Sequence, residues 1–303
     1  MTPLERRAGL SLSSIYAVRM LGLFMVMPVF ALEARRYIGG EDPSDVGLAM
    51  GVYGLVQAAL QLPMGWAADR WGRKRVIVLG LILFGVGSVL GMWATTVHQL
   101  AWARALQGGG AISAAVSALL ADQTRDEVRT KAMALVGGSI ALSFALSLVI
   151  AAPIYKVISL SGIFVVLAIL GILAMLVTAY VLPTSKTETT IQQASLKEVF
   201  FRPELVRLNF GVFVLHATQV AMFLVVPRLL IQAGLPLSSH WEIYLPVVLL
   251  SFFLMAPILI FGEKRQQLRT VLLLAIVLLL LAEFLFTNTS SISSIAVALL
   301  VYF

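Results

Sequence analysis

Apolar residues run along this chain in long blocks separated by short polar and basic stretches. Blocks at 9–32, 46–66, 76–95, 98–120, 131–155, 160–182, 208–231, 241–261 and 270–287 stand out. Each matches the roughly 20 residues of helix that a bilayer crossing takes. A tenth block begins near 292, and 12 residues follow Ser291, so this last run stops short of a crossing and the end at Phe303 reads as a cut. Backbone groups in lipid must bond within their own segment, and runs this long and continuous are helices rather than barrel strands. The expected fold is all-α, a polytopic membrane protein.

The polar intervals set the organisation. The longest, 183–207, carries PTSKTETT and then SLKEVFFRPEL, whose second part has the pattern of a short amphipathic helix on a membrane face. It divides the chain into a six-span N-terminal lobe (1–182), a cytoplasmic linker (183–207) and a partial C-terminal lobe (208–303) with three full spans and a cut fourth. Alternate intervals differ in charge. With the N-terminus inside, the inner segments hold 16 Lys and Arg and the outer segments 4, namely Arg35, Arg36, Lys156 and Arg228. That bias places the N-terminus in the cytoplasm. The lead MTPLERRAGL is basic, but the run after it is too long for a signal peptide and has Arg19 in its middle, so it reads as a retained first span.

Composition agrees. The chain is 60% hydrophobic and 12% charged, against about 25% charged in soluble domains, with mean hydropathy +0.96. The net charge of +7 does not indicate nucleic acid, because the charges sit between apolar runs. No cysteine is present, which excludes disulfides and thiolate metal sites. His98, His216 and His240 fall on separate segments without metal-ligand spacing, and GGGA at 108–111 lies mid-span after no strand, so it is no phosphate loop. No serine sits in a credible triad. The expectation is a protein that is not an enzyme and needs no cofactor.

The most charged short interval is GWAADRWGRK, 65–74. Gly65 lets two helices approach, and Gly72 can take a left-handed turn between basic residues. Asp69 is placed to meet a facing helix N-terminus and the arginines around it, in one arrangement of the protein and not another. Arg70, Arg73 and Lys74 complete this candidate switch. The alternative is a plain positive-inside loop with one neutralising acid.

Ionisable residues inside spans are costly and mark function or clamps. Arg104, in span four, reads either as a fixed cation that tunes a neighbouring carboxylate for proton coupling or as a hydrogen-bond clamp on backbone carbonyls. Arg19, in span one, reads as a cavity-facing cation that orients substrate or as the partner of a polar residue, with Gln57 and Gln61, one turn apart on span two, as candidates. Gln107 is grouped with these cavity residues. His216 and Glu283 are the remaining candidates for a proton carrier, against a hydrogen-bonding and an interfacial role respectively. Ser139, Ser143 and Ser147 form a small-residue stripe suited to helix packing, and Pro28, Pro227, Pro246 and Pro257 mark candidate bends.

Here the sequence resembles a family. GWAADRWGRK matches the major facilitator superfamily signature G-x-x-x-D-R-x-G-R-K between spans two and three, and RALQGGGA, with Arg104, Gln107, Gly108 and Gly110, matches its span-four pattern R-x-x-Q-G-x-G-A. RMLGLFMVMPVF and LLADQTRDEVRTKAMA resemble the YajR branch of drug/proton antiporter-type members. The resemblance implies a major-facilitator-type helical bundle. In it Asp69 would contact the N-terminus of an eleventh span, beyond this chain, and Arg73 and Asp122 would join it in a charge relay. The antiporter signature of span five departs here, with Ala152-Pro153 and no following glycine pair. The implied function is a secondary transporter working by alternating access, driven by the proton motive force, exporting small amphipathic compounds as a monomer in a bacterial inner membrane. Its partners would be substrate, protons and lipid, with no nucleic acid. The alternative is a truncated, non-transporting remnant or a structural or interaction protein.

Overall fold

The computed structural model describes residues 1–182 and 202–303. Of the linker expected at 183–207, residues 183–201, with Lys186, Lys197 and most of the expected surface helix SLKEVFFRPEL, lie outside the described residues, and the next described helix already begins at Pro203. Eleven α-helices follow one another in the described part: α1 Pro3–Phe24, α2 Met27–Glu33, α3 Pro43–Trp71, α4 Arg73–Met92, α5 Val97–Gly109, α6 Ser113–Asp122, α7 Asp126–Tyr180, α8 Pro203–Gln232, α9 Trp241–Lys264, α10 Leu268–Thr287 and α11 Ile292–Tyr302. No strand occurs among the described residues, apart from an isolated bridge between Ile38 and Thr96.

Starts are set by local chemistry. Thr2 and Glu5 form a capping box ahead of Pro3, and Thr96 with Gln99 and Ser291 with Ser294 do the same for α5 and α11. Asp42 caps α3 by accepting from the Ser44 amide.

Among the described residues seven stretches are long and apolar enough to cross a membrane, fewer than the nine full runs of the sequence, and the splitting of span four and the merging of spans five and six account for the difference. Span one stays one candidate crossing, Pro3–Arg36, although it is broken between α1 and α2 because Pro28 supplies no N–H and its ring crowds the carbonyl four residues back. Span four is split into α5 and α6 at 110–112, after three consecutive glycines. Spans five and six run together as α7, with the short expected loop reduced to a kink at Ser159 (φ 60°, ψ −178°). The chain folds back there. The first half of α7 meets α1, where the Ser143 hydroxyl donates to the Ala17 carbonyl. The second half meets α4, where Lys74 reaches the Ala179 and Leu182 carbonyls.

Two buried apolar clusters hold the helices. One lies toward the 65–74 loop and includes Leu12, Ile15, Met64, Ile77, Val116 and Leu119; every member comes from α1–α7 or the residues that directly follow them. The other lies toward the opposite end and joins α1–α7 to α8–α11, through residues such as Phe30, Leu148, Phe164, Phe223, Tyr244 and Ile295. Phe144 of α7 sits on this seam. Its ring packs edge-on against Phe24 (4.9 Å between centroids), Phe223 (6.2 Å) and Phe303 (5.4 Å). Beyond the seam α8 diverges from the first bundle, and Leu208, Phe210 and Phe213 are exposed.

Candidate functional site

The 65–74 loop is built around one residue. Gly72 ends α3 and begins α4, at φ +96° and ψ 132°, a backbone conformation that side-chain-bearing residues rarely adopt. The reversal carries Arg73 into the bundle, where its guanidinium is 9% exposed. Arg73 donates to the Ala118 carbonyl and is ion-paired with Asp122 at the end of α6. Asp69 stands one turn back, half exposed, with an oxygen 3.9 Å from the same guanidinium. Lys74 donates to Ala179 and Leu182 at 2.8 Å each, covering the carbonyl end of α7. Arg70 stays outside, stacked 5.3 Å over the Trp66 ring. A β-carbon on Gly65 would touch Ala114 of α6 at 3.4 Å, so its absence gives α3 and α6 their close approach. Asp69, Arg73 and Asp122 are thus gathered at one end of the bundle.

The second site lies between α1, α3 and α5. The Arg19 and Arg104 side chains are each 1% exposed, as is Tyr53. Arg19 donates to the Gly110 carbonyl, to the Tyr53 hydroxyl (3.1 Å) and to Gln57 Oε1 (3.1 Å). Arg104 donates to the Gly22 carbonyl (3.2 Å) and to Gln107 Oε1 (2.9 Å). Gln107 in turn donates to Ser88 Oγ (2.9 Å), which donates to the Phe84 carbonyl. Both guanidinium carbons stand by the Tyr53 ring, Arg104 at 4.5 Å and Arg19 at 6.0 Å from its centroid.

This network explains the glycines of RALQGGGA. Gly108 lies against the backbone carbonyl of Tyr53, where a β-carbon would overlap it, so α3 and α5 meet in direct backbone contact. The helix break that follows takes the Gly110 carbonyl out of the α-helical ladder, and it accepts both from the Ile112 amide (2.8 Å) and from Arg19. The clamp geometry accounts for part of each guanidinium. The Nε–H of Arg19 and of Arg104 has no acceptor among the described residues. No carboxylate among the described residues stands within ion-pair distance of either. A centrally buried arginine costs roughly 2.5–3.5 kcal/mol on insertion scales, which the carbonyl, amide and ring contacts offset in part.

The other candidates stand apart. Gln61 is half-buried, one turn beyond Gln57. His216 is exposed on α8, with Nδ1 2.8 Å from the Val212 carbonyl of its own helix. Glu283 is on α10, which packs against α9 and α11, and its Oε1 has no partner among the described residues. Sequence reasoning missed Tyr53, although it lies one turn before Gln57 on the same face of α3. It also missed two ionic clusters. Glu33, 7% exposed, accepts from the Tyr155 hydroxyl and pairs with Arg36 at 3.4 Å. Glu5 pairs with Arg125 at 2.8 Å, fastening the N-terminus to the turn before α7. Among the described residues no group of three His, Asp or Glu is gathered to hold a metal ion.

Comparison with known proteins places this architecture. The profile of the Major Facilitator Superfamily matches residues 12–303, and the chain belongs to that family, whose members are membrane transporters and not enzymes. It is 38% identical over 296 residues to the inner membrane transport protein YajR of Escherichia coli strain K12, covering 96% of this chain and 65% of that protein. It is 31% identical over 296 residues to the uncharacterized transporter BU466 of Buchnera aphidicola, covering 94% of this chain and 74% of the relative. The chain therefore spans about two thirds to three quarters of the length of these relatives. Among solved structures, the fold is similar to the nucleoside transporter NupG (TM-score 0.74, 12% identity, 99% of this chain and 78% of that one). It is also similar to a bacterial homologue of the human lysosomal transporter Spinster in an inward-facing conformation (TM-score 0.72, 17% identity, 100% and 74%).

Proposed function

We propose that this chain forms the N-terminal lobe and part of the C-terminal lobe of a proton-coupled secondary transporter that exports small amphipathic compounds by alternating access across a bacterial inner membrane. The supporting observation is the distribution of the buried clusters. The cluster far from the 65–74 loop joins the two groups of helices, whereas the one beside the loop is built, among the described residues, from α1–α7 and the residues that directly follow them. With the loop end cytoplasmic, as the basic intervals indicate, this is the arrangement of a carrier sealed outside and parted inside. Asp69, half exposed here, is then free to engage a partner when the cytoplasmic ends close, and the Arg73–Asp122 pair holds the loop ready for it.

The test is flux in proteoliposomes of the full-length protein, with a pH-sensitive dye inside and a panel of amphipathic solutes. Solute-driven proton movement is expected from the unaltered protein and is lost in Asp69→Asn and Arg104→Ala variants that still insert. Normal flux in both variants would refute the reading. Residues 1–303 hold no cysteine, so in a full-length protein freed of any cysteine elsewhere Asp69→Cys reports its side directly: a membrane-impermeant maleimide should label it from the cytoplasm.

A further inference from the structure

We propose that Arg19 and Arg104, both beside the Tyr53 ring, form the binding site for the oxyanion of an organic substrate; this rests on the transport reading and names the charge of what is carried.

The first observation is an imbalance of fixed charge. The six apolar runs between 9 and 182 contain Arg19, Arg104 and, at the start of one, Lys131, and not one Asp or Glu. Two of these cations converge on a single tyrosine ring, at 6.0 and 4.5 Å from its centroid. A buried charge is ordinarily paired. Among the described residues these two have only neutral acceptors: two backbone carbonyls, two glutamine oxygens and a phenol. Holding helices together needs donors and not two positive charges gathered at one ring, where they repel each other.

The second observation is unused donor capacity. A guanidinium has five N–H groups in a planar fork suited to carboxylate or phosphonate. The Nε–H of each arginine is buried and has no acceptor among the described residues. Such groups call for an explanation, and a missing anion supplies one.

The third is a way in. Arg19 Nη2 is held by the Tyr53 hydroxyl and by Gln57 Oε1. Gln57 and Gln61 are half-buried, so this face of α3 reaches the surface of the bundle. An entering oxyanion displaces the Gln57 oxygen from Nη2, and the released amide is free to hydrogen-bond the ligand. The same arrangement disfavours organic cations, which would meet two like charges beside Tyr53 with no acid to offset them.

The test is calorimetric binding to the full chain in detergent at fixed ionic strength, using one ring system in three charge states: naphthoate, naphthamide and naphthylmethylammonium. Naphthoate is expected to bind about tenfold or more tightly than naphthamide, with the ammonium weakest. Phenylphosphonate should displace naphthoate if the site reads oxyanions in general, and fail to do so if it is restricted to carboxylates; both results keep the assignment. Arg19→Gln should lose the naphthoate preference, Arg19→Lys should keep most of it, and Arg265→Gln, at an exposed arginine over Phe261, should leave it unchanged. If Arg19→Gln does not fold, Gln57→Glu, a near-isosteric change at a half-buried position that sets a carboxylate on Arg19 Nη2, should lose the naphthoate preference in its place, and full preference in that variant would overturn the assignment. Equal binding of naphthoate and naphthamide, preference for the ammonium, or full naphthoate binding by folded Arg19→Gln would each overturn the assignment. The flux assay is independent, so transport of a neutral or cationic solute would leave the carrier reading standing while this inference falls.

Discussion

Asp69 and Asp122 both face Arg73, yet the structure assigns them different energies. Asp122 is 22% exposed and in close ion-pair contact with a guanidinium that is itself 9% exposed; Asp69 is 51% exposed at 3.9 Å. A hydrogen bond to a charged group in the first setting is worth about 1.5–3 kcal/mol, whereas a longer pair at the surface is worth about 0–1 kcal/mol. Asp122→Asn should therefore destabilise the bundle by about 2 kcal/mol, and Asp69→Asn by less than about 1 kcal/mol. Asp122 has further interactions, so the pair itself is isolated by a double-mutant cycle with Arg73→Gln. Its coupling energy should be about 2 kcal/mol, roughly a thirtyfold change in the unfolding equilibrium. The assay is reversible unfolding in mixed micelles, read by circular dichroism. Transport should rank the two acids in the opposite order, because Asp69 is the one free to engage a moving partner. Coupling energies that are equal for the two carboxylates, or below about 0.5 kcal/mol for Asp122, would refute the division between a structural and a switching acid.

Other outcomes follow from single contacts. Gly108→Val places side-chain atoms on the Tyr53 carbonyl and should prevent α3 and α5 from meeting, seen as loss of the monodisperse peak in size exclusion. Phe144→Ala removes the ring that meets Phe24, Phe223 and Phe303. Truncating a fully buried phenylalanine costs about 3–5 kcal/mol; Phe144 is partly buried, so its loss should cost less than that, and it should speed maleimide labelling of Val220→Cys, a position half-buried beside that seam. Ser159→Gly should stabilise the protein by about 1 kcal/mol in a melting experiment, because φ 60° with ψ −178° is a region where glycine is at ease and serine is strained.

Much of the fold was legible because lipid leaves little choice: an apolar run of some 20 residues has to be a helix. Breaks within spans were harder to read. Pro28 announced a bend by its chemistry. The triplet at 108–110, by contrast, ends α5 and opens the Gly110 carbonyl to Arg19, which needs the helix in place to be seen. Spans five and six were separable by their apolar blocks, but not the strained residue that joins them. At the 65–74 loop, local order puts Asp69, Gly72, Arg73 and Lys74 together, so the sequence showed most of the cluster, and the resemblance added Asp122. At the buried arginines it showed the charges and not their convergence. Whether Arg19, Tyr53 and Arg104 face one another depends on the rotation of three helices about their own axes, which long apolar runs with no strong sidedness do not specify. Glu33 escaped notice for a related reason: its partner Tyr155 lies 122 residues away.

The single-residue joint at Gly72 constrains how any motion can be distributed. Immediately after it, Arg73 is fastened to the end of α6 and Lys74 to the end of α7, while α3 arrives from the other side. Four helix ends are riveted within two residues of one hinge point, so α4 cannot tilt without carrying α6 and α7 with it. Bending is thereby pushed out of this bundle and onto the junctions where α2 meets α8 and α7 meets α9, which makes those two seams the axle of the molecule.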